Sequence, residues 1–543
     1  MRVVVSAVIL LLVAAGGSPT AADDGPESRG VQFERAVAAS NRVLHAWLAH
    51  ADARTLLLPD RPAIPTTEQT YTPHNSGADL YPYLILTAEL TDPGLFHGRL
   101  LEMLRNEIRY TTVEDSVPGN LTFATGAAGP PSLFGAGEYA KDGLISVTEY
   151  LGRGPWFARM VDMTADAMRH AAVSSRFGNL PADDAELNGD YLQTLVRLAT
   201  MTGDPRFLEW ARRIADAYVE EVLPGNSGVP SSKWNFAAHS GDGRLRLRDH
   251  GNETVVGLTM LFTLERAMGT PRAGTYAPVI RRMLDRILES ANADGLLYNE
   301  IDAKTLRPID ERLSDNWGYV YGAVYAFYQA TGEVRYRDAV RRVLTSLPKY
   351  RNYDWEPREG LPLGSFDGYA DSIESAIYLV NREPVAGVFD WIDSEVDVML
   401  RMQRPDGHIE DWYGEGNFNR TLLLYAYMKS QGVRPDVWEP GIRIGATASN
   451  GRLSLNLTMP SARRVRFDWA RHRRSLNFSA NYVRLNEFPE WFVVDENTLY
   501  RLRGPAGVDW VRLGSEMIAG LEMAPGSWIV ESLGPPPYAR GRQ

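Results

Sequence analysis

One turn recurs along the chain and limits what it can fold into. ATMTGDPRF (199–207) is followed by a looser copy, RAMGTPRAGTY (266–276), and by QATGEVRY (329–336). The turn glycines Gly203, Gly269 and Gly332 fall at intervals of 66 and 63 residues. Each stands where an apolar helical pattern stops, and glycine supplies the left-handed conformation that closes a helix C-terminus. A unit of this length is one helix pair or more, and such units bury their apolar faces only against neighbours. The expectation is a closed or stacked array of helical hairpins.

Two kinds of helix alternate between residues 30 and 435. FERAVAASNRVLHAWLAH, FHGRLLEMLRNEIRY, WFARMVDMTADAMRHAA and FLEWARRIADAYVEEV carry charges on one face. DLYPYLILTAEL, DGLISVTEYLG, DYLQTLVRLATMTG, TVVGLTMLFTLERAMG, GYVYGAVYAFYQATG, DSIESAIYLVN and RTLLLYAYMKSQG carry few. A helix apolar nearly all round is buried on both sides, so the second set forms an inner ring and the first an outer ring. Connections after apolar helices are short. Those after charged helices are long and polar, at 222–249, 292–314, 348–367 and 403–417. All long loops therefore share one face with the N-termini of the inner helices, where function concentrates. The predicted fold is mainly α: an (α/α) toroid of six to seven hairpins over 30–435.

From about residue 440 the pattern changes. GIRIGATASNGRLSLNLTM and WFVVDENTLYRLRG alternate apolar and polar residues around Asn-Gly and Gly turns, the signal of strands. GVRPDVWEPG reads as a linker, RRVRFDWARHRR (463–474) as an exposed basic strand, and 440–535 as a small antiparallel β-sandwich-like domain.

Composition narrows the function classes. MRVVVSAVILLLVAAGGSPTAA (1–22) has the layout of a cleaved signal peptide, predicting a periplasmic or extracellular protein. No other segment is apolar for long enough to span a membrane. There are no cysteines, so disulfides, thiolate metal sites and Cys nucleophiles are excluded. A net charge of −11 argues against a nucleic-acid partner. The loops NADGLLYNE (292–300) and QRPDGHIED (403–411) could carry structural calcium through Asp oxygens, although neither has EF-hand spacing. No other cofactor or metal is expected.

Polar residues gather where each inner helix begins: HNSGAD, EYAKD, AELNGD, RDHGNE, SDNWGY, FDGYADSIE and GNFNR. One from each gives Asp79, Asp142, Asp190, Glu253, Asn316, Asp371 and Arg420, spaced by 63, 48, 63, 63, 55 and 49 residues. Helix capping accounts for Asp184, Asp315 or Asp367. It does not account for the His, Arg, Trp and Tyr among them, or for acids deeper in the helix such as Glu253 and Glu374. Buried helices offer no solvent to such groups, so they face one another across a cavity.

Two chemistries fit. Glycoside hydrolysis needs two carboxylates, one held protonated, and Asp79, Asp142, Asp190, Glu253 and Asp371 are candidates. Elimination on a uronate needs groups that neutralise the carboxylate, plus a base and an acid. His250, Asn252, Asn188, Tyr319, Arg312 and Arg420 supply that set. Asn75 and Glu186 lie at the same helix mouths, and Trp412 and Trp317 are candidate sugar platforms, as are Tyr413 and Trp234.

The alternating hairpins with DHGNE and DNWGYVYG resemble the (α/α)7 polysaccharide lyases that cleave glucuronan or alginate, within the six- and seven-hairpin toroid enzymes acting on carbohydrates. The resemblance covers roughly 400 residues in architecture. It implies that mouth residues act through His250, Asn188 or Asn252, Glu186, Arg312 and Tyr319, on an acidic oligo- or polysaccharide. The C-terminal β domain and the number of acids depart from it. Asp79 and Asp142 also resemble the paired aspartates of unsaturated glucuronyl hydrolases. The expectation is elimination with Tyr319 as acid and possible base, His250 and Glu253 assisting, and Arg312, Asn188 and Asn252 neutralising the carboxylate. Carboxylate-pair hydrolysis is the alternative, and a non-catalytic glycan-binding protein the third reading.

Overall fold

A computed structural model describes residues 25–65, 67–478 and 486–536, without the side chains of Asp249 and His250. The segment 1–22 read as a signal peptide lies outside the described residues. Among them, fourteen helices alternate between two concentric rings. The outer helices are α1 (Pro26–Leu48), α3 (93–111), α5 (Pro155–Arg169), α7 (205–225), α9 (Pro271–Glu289), α11 (Val334–Ser346) and α13 (Val388–Met402). The inner helices are α2 (73–91), α4 (133–151), α6 (Ala185–Thr202), α8 (Glu253–Ala267), α10 (Trp317–Thr331), α12 (Phe366–Val380) and α14 (Glu415–Ser430). Each inner helix packs on the next and α14 packs back on α2, closing a ring of seven.

Local sequence explains the alternation. Five of the seven outer helices begin on proline, whose fixed φ suits the first turn and whose missing N–H costs nothing there. Asp92 and Asp204 cap two of them by accepting from Leu95 N and Arg206 N. Inner helices end on the predicted glycines: Gly203 and Gly332 sit at φ +71° and +79°, which a side chain rarely tolerates. Every residue of α14 is buried, as expected of a helix covered on both sides. Gly416 lets α14 approach so closely that a methyl group there would collide with the Asp79 carbonyl of α2.

The start of α2 and the middle of α4 are wound more loosely. Residues Pro73–Leu80 and Tyr139–Leu144 are π-helical and carry Asp79 and Asp142. Such turns often occur at functional positions, because the extra residue swings a side chain out of the regular helical register.

The C-terminal domain is two small antiparallel sheets. Strands β5 (Arg443–Ser449), β6 (Arg452–Thr458), β8 (Leu499–Arg503), β9 (Asp509–Leu513) and β11 (Gly526–Gly534) form one sheet in the order β5-β6-β11-β8-β9. Strands β4 (Arg434–Pro435), β7 (Arg463–Arg466) and β10 (Leu521–Met523) form the other, in the order β4-β7-β10. Asn450 and Gly451, both at positive φ, close the β5–β6 hairpin as an Asn-Gly turn does. Strand β5 lies along α1, with Arg443 paired to Glu34 at 2.5 Å. The linker reading of 432–441 misses that this stretch is docked: Arg434 pairs with Glu89 at 2.5 Å and Trp438 is buried. The exposed-strand reading of 463–474 holds only for β7. Arg471 and His472 instead turn under the barrel and are buried, because acids there neutralise them.

Two further strands concern the mouth. β2 (Tyr298–Asp302) and β3 (Pro308–Leu313) form an antiparallel hairpin in the 292–314 loop, with β1 (Arg244–Arg246) beside β2. No helix among the described residues is long and apolar enough to cross a membrane.

Candidate functional site

The mouth of the barrel holds a pocket of about 220 Å³. Its floor and walls come from inner helices: Asp79 of α2, Asp142 of α4, Tyr319 of α10, Asp367 and Asp371 of α12, and Asn417 and Arg420 of α14. Its rim comes from the long loops: Arg248, Glu356, Arg358, Trp412 and Tyr413. Loop asymmetry and inner-helix starts thus meet in one place.

The charges are ordered in pairs. Arg420 is buried and reaches Asp371 at 2.7 Å and Glu374 at 2.5 Å. Glu374 is fully buried. Burial pushes its carboxyl up to about 7, with Arg420 opposing and Asp371 reinforcing the rise. Asp367 sits one turn before Asp371 and accepts from Asn417 Nδ2 at 2.9 Å. Burial first, then the Asp371 and Glu356 charges, push Asp367 well above the usual carboxylate range. At the rim, Arg248 pairs with Glu356 at 2.6 Å, and Arg358 pairs with Glu356 and Glu410 while lying over the Trp412 ring at 4.8 Å.

Below the floor lies a sealed cluster. Lys141 has no exposed surface and contacts Asp142 at 2.7 Å, Glu253, and Asp190 at 4.0 Å. Glu253 also accepts from Gln193 Nε2. Glu138 and Asp190 complete the cluster, and burial first, then the neighbouring acids, raises both well above the carboxylate range. One lysine faces four buried carboxyl groups, an imbalance that disfavours ionising all of them. Tyr319 closes the cluster from the pocket side, its ring 5.9 Å from Lys141 Nζ. Burial and then the Asp371 charge drive its hydroxyl well above the usual phenol range.

Of the residues singled out in sequence, Asp79, Asp142, Asp371, Arg420, Tyr319, Trp412 and Tyr413 line the pocket. Glu253 and Asp190 do not; they belong to the sealed cluster, where they balance Lys141. Arg312 is also absent from the lining. It sits on the β3 hairpin, more than half exposed, and its guanidinium chelates Asp310 two residues away. Asn188 donates to the Ala182 and Asp184 carbonyls at 2.9 and 2.8 Å, and Asn252 to the Leu247 carbonyl at 2.7 Å. Asn316 accepts from Ser314, and Trp317 is fully buried with its indole on Ser372. These four hold loops and packing. Asn75 binds Asp60 at 2.8 Å, and Glu186 is half-buried in the first turn of α6; neither lines the pocket. Trp234 is buried with its indole on Glu221, so it offers no platform. The side chain of His250 lies outside the described residues.

Four lining residues lacked a sequence assignment. Arg248 stands beside the DHGNE stretch, Glu356 and Arg358 sit in the 348–367 loop, and Asn417 is in GNFNR. Asp367 was assigned to capping, but the cap of α12 is Ser365, whose hydroxyl accepts from Asp367 N. An acid two residues after a serine able to cap the helix is the available signal.

Carboxylates of the two candidate calcium loops have cationic partners: Asp294 pairs with Lys349, and Asp406 and Asp411 with Arg404. His408, Asp411 and Glu415 bring one ligand atom each within 4.8 Å of one another. Glu415, however, already accepts from Trp47 Nε1 and from the backbone N–H groups of Ile409, Glu410 and Asp411, each at 2.7 Å. That carboxylate is the lock of the 403–417 loop that presents Trp412.

No protein-family model and no curated protein matches the chain. Among solved structures it is similar to the unsaturated glucuronyl hydrolase of Bacillus sp. GL1, at 14% identity over 54% of this chain and 85% of that one, with a TM-score of 0.39. It is also similar to the GH76A α-1,6-mannanase of Salegentibacter sp. HEL1_6, at 13% identity over 60% and 96%, TM-score 0.41. A D-mannose isomerase gives 12% identity over 61% and 89%, TM-score 0.43. Likenesses this distant leave the chemistry to be read from the chain's own residues.

Proposed function

We propose that the protein is a carbohydrate-active enzyme whose mouth pocket hydrolyses a glycosidic bond. The observation that carries this is the presence of two carboxyl groups with opposite environments in one pocket. Asp142 is ion-paired with Lys141 and hydrogen-bonded, so it serves as the carboxylate. Asp367 is driven toward its protonated form, so it serves as the acid that protonates the leaving oxygen. Glycoside hydrolysis requires that division of roles, and environment sets it. Asp79 is a third carboxylate within the pocket, and Trp412 with Tyr413 supplies an aromatic face at its rim. Arg248 and Arg358 are the rim groups that would meet a carboxylate-bearing sugar, so acidic glycans stand first among substrates to try.

β-Elimination is the second reading, favoured by the position of Tyr319 in the pocket. Its hydroxyl can donate a proton, but with its pKa driven up it is a poor base at neutral pH. The arginine expected to neutralise the uronate, Arg312, lies outside the pocket.

The two readings separate on one assay. The protein is incubated with glucuronan, alginate and neutral glycans, following reducing ends and the ultraviolet absorbance of an unsaturated product. Hydrolysis predicts reducing ends without absorbance, lost in Asp142→Asn and Asp367→Asn and retained in Tyr319→Phe. Absorbance that disappears in Tyr319→Phe would overturn hydrolysis in favour of elimination.

A further inference from the structure

The barrel is plugged from the end opposite its mouth. The plug is the segment 486–494 of the β domain, between β7 and β8. Phe488 is buried against the rings of Tyr150 and Tyr427, with centroids 5.2 and 6.0 Å away. Asn381 Nδ2 donates to the Glu490 carbonyl, and Phe492 N to the Gln431 carbonyl. His472 lies between Glu487 at 2.6 Å and Glu490 at 3.1 Å. The plug is thereby tied to the far ends of α12 and α14.

Asn486 reaches the floor of the mouth pocket, and only 1% of it is exposed. Its Nδ2 donates to Asp142 Oδ1 at 2.6 Å, and its Oδ1 accepts from Arg420 Nη1 at 2.7 Å. Its backbone N donates to Glu374 Oε1 at 2.8 Å, and its carbonyl accepts from Ser146 Oγ at 2.7 Å. A single side chain thus joins the candidate base on α4 to the arginine that pairs with Asp371 of α12. An amide does both through separate atoms, its nitrogen donating a hydrogen bond to a carboxylate and its oxygen accepting one from a guanidinium. An aspartate there would set another negative charge against Asp142 and Glu374; an apolar residue would leave both partners without their bond.

We propose that Asn486 is a positioning residue of the mouth pocket, so that the β domain completes the active centre from below. The role assigned to Asp142 rests on the hydrolytic reading above; the placement of Asn486 does not. The groups that face Asp142 are Lys141 on its own helix, Asp190 and Glu253 behind that lysine, Glu138 one turn before, Tyr319 across the pocket, and Arg420 through Asn486. Among the described residues of that circle, Asn486 is the one supplied by the β domain.

The test uses the full chain. Asn486→Ala and Asn486→Asp are expected to lower kcat on a turned-over glycan by about 10- to 100-fold, with KM within about threefold, as for loss of a hydrogen bond to a charged group. The acidic limb of the kcat/KM profile should move to higher pH, because Asp142 loses a donor that favours its charged form. If Asp142→Asn abolishes turnover while both Asn486 variants keep the wild-type kcat and pH profile, Asn486 is only filler and the proposal fails. If Asp142→Asn keeps full activity, it is the hydrolytic reading that fails. A readout without turnover is the midpoint of the Asp142 carboxyl, followed by carbon NMR of aspartate-labelled protein. An upward shift in Asn486→Ala supports the proposal, and an unchanged midpoint overturns it.

Discussion

The inner ring divides into two unlike halves. Helices α2, α4, α12 and α14 turn acids and an arginine into the bore, where Asp79, Asp142, Asp371 and Arg420 line the pocket. Helices α6 and α8 begin with equally polar stretches, yet Asn188 and Asn252 turn to backbone carbonyls of their own loops. From α10 only Tyr319 reaches the cavity, while Asn316 and Trp317 face inward to Ser314 and Ser372. A polar helix start is therefore ambiguous by itself. What separates the halves is whether the backbone around the start already consumes the side chain's hydrogen bonds.

The most drastic way to break that contrast is Asp142→Asn. Loss of the carboxylate from the pocket half should cut turnover by about a thousandfold, within the range for removal of an acid–base group. The measurement is kcat on a turned-over glycan, beside a thermal melt showing that the fold survives. Next comes Lys141→Ala, which leaves Asp142, Glu253 and the Glu138–Asp190 pair buried without their cation. Breaking a buried ion pair on one side costs about 3–5 kcal/mol, so the denaturation midpoint should fall sharply. Wild-type stability in this variant would mean that the cluster already carries protons enough to be neutral.

Much of this was legible in the sequence, and the limits were physical. Ring order follows from which helices carry charges, and the functional face follows from loop length. Both were readable because they depend on periodicity along the chain. Where a side chain points was less readable. Arg312 has the type and position for carboxylate recognition, but Asp310 two residues away captures it on the hairpin. Asp367 looks like a cap, but Ser365 takes that role and leaves the acid to the pocket. Asn486 lies 344 residues from Asp142, and no local pattern announces so distant a contact.

The plug sharpens the comparison because it holds the far ends of α12 and α14, two helices of the pocket half. His472 is buried. Burial alone would lower its pKa, but Glu487 and Glu490 outweigh this and push it up to about 9. A folded value above the unfolded one means the stabilisation is complete below about pH 6.5 and is lost as pH rises through about 9. The shift corresponds to about 3 kcal/mol. Unfolding free energy measured from pH 6 to 10 should therefore decline through that window, and His472→Gln should flatten the decline. A curve unchanged by the substitution would remove His472 as the clamp.

The other half offers a smaller test. Asn188→Ala removes the donor to the Ala182 and Asp184 carbonyls and should cost about 1–3 kcal/mol. Activity of the folded fraction should stay within about twofold. A large fall in kcat with an unchanged melt would move Asn188 into the site and erase the contrast between the halves.

The smallest expected effect discriminates most between the chemistries. Arg312→Ala removes an exposed guanidinium whose partner is its own neighbour, Asp310, so neither stability nor kcat/KM should change measurably. Elimination with Arg312 as the carboxylate anchor predicts the reverse, a rise in KM for uronate substrates and a loss of turnover. For that to occur, the β2–β3 hairpin would have to fold over the mouth and exchange Asp310 for the substrate. The Arg312–Asp310 chelate opposes this: three nitrogen–oxygen contacts of 3.0, 3.0 and 2.5 Å would have to break before a sugar carboxylate could replace them. Asp310→Asn would weaken that hold. If it raises activity in a manner that depends on Arg312, the hairpin closes over the pocket and the site extends beyond the residues that line it at rest.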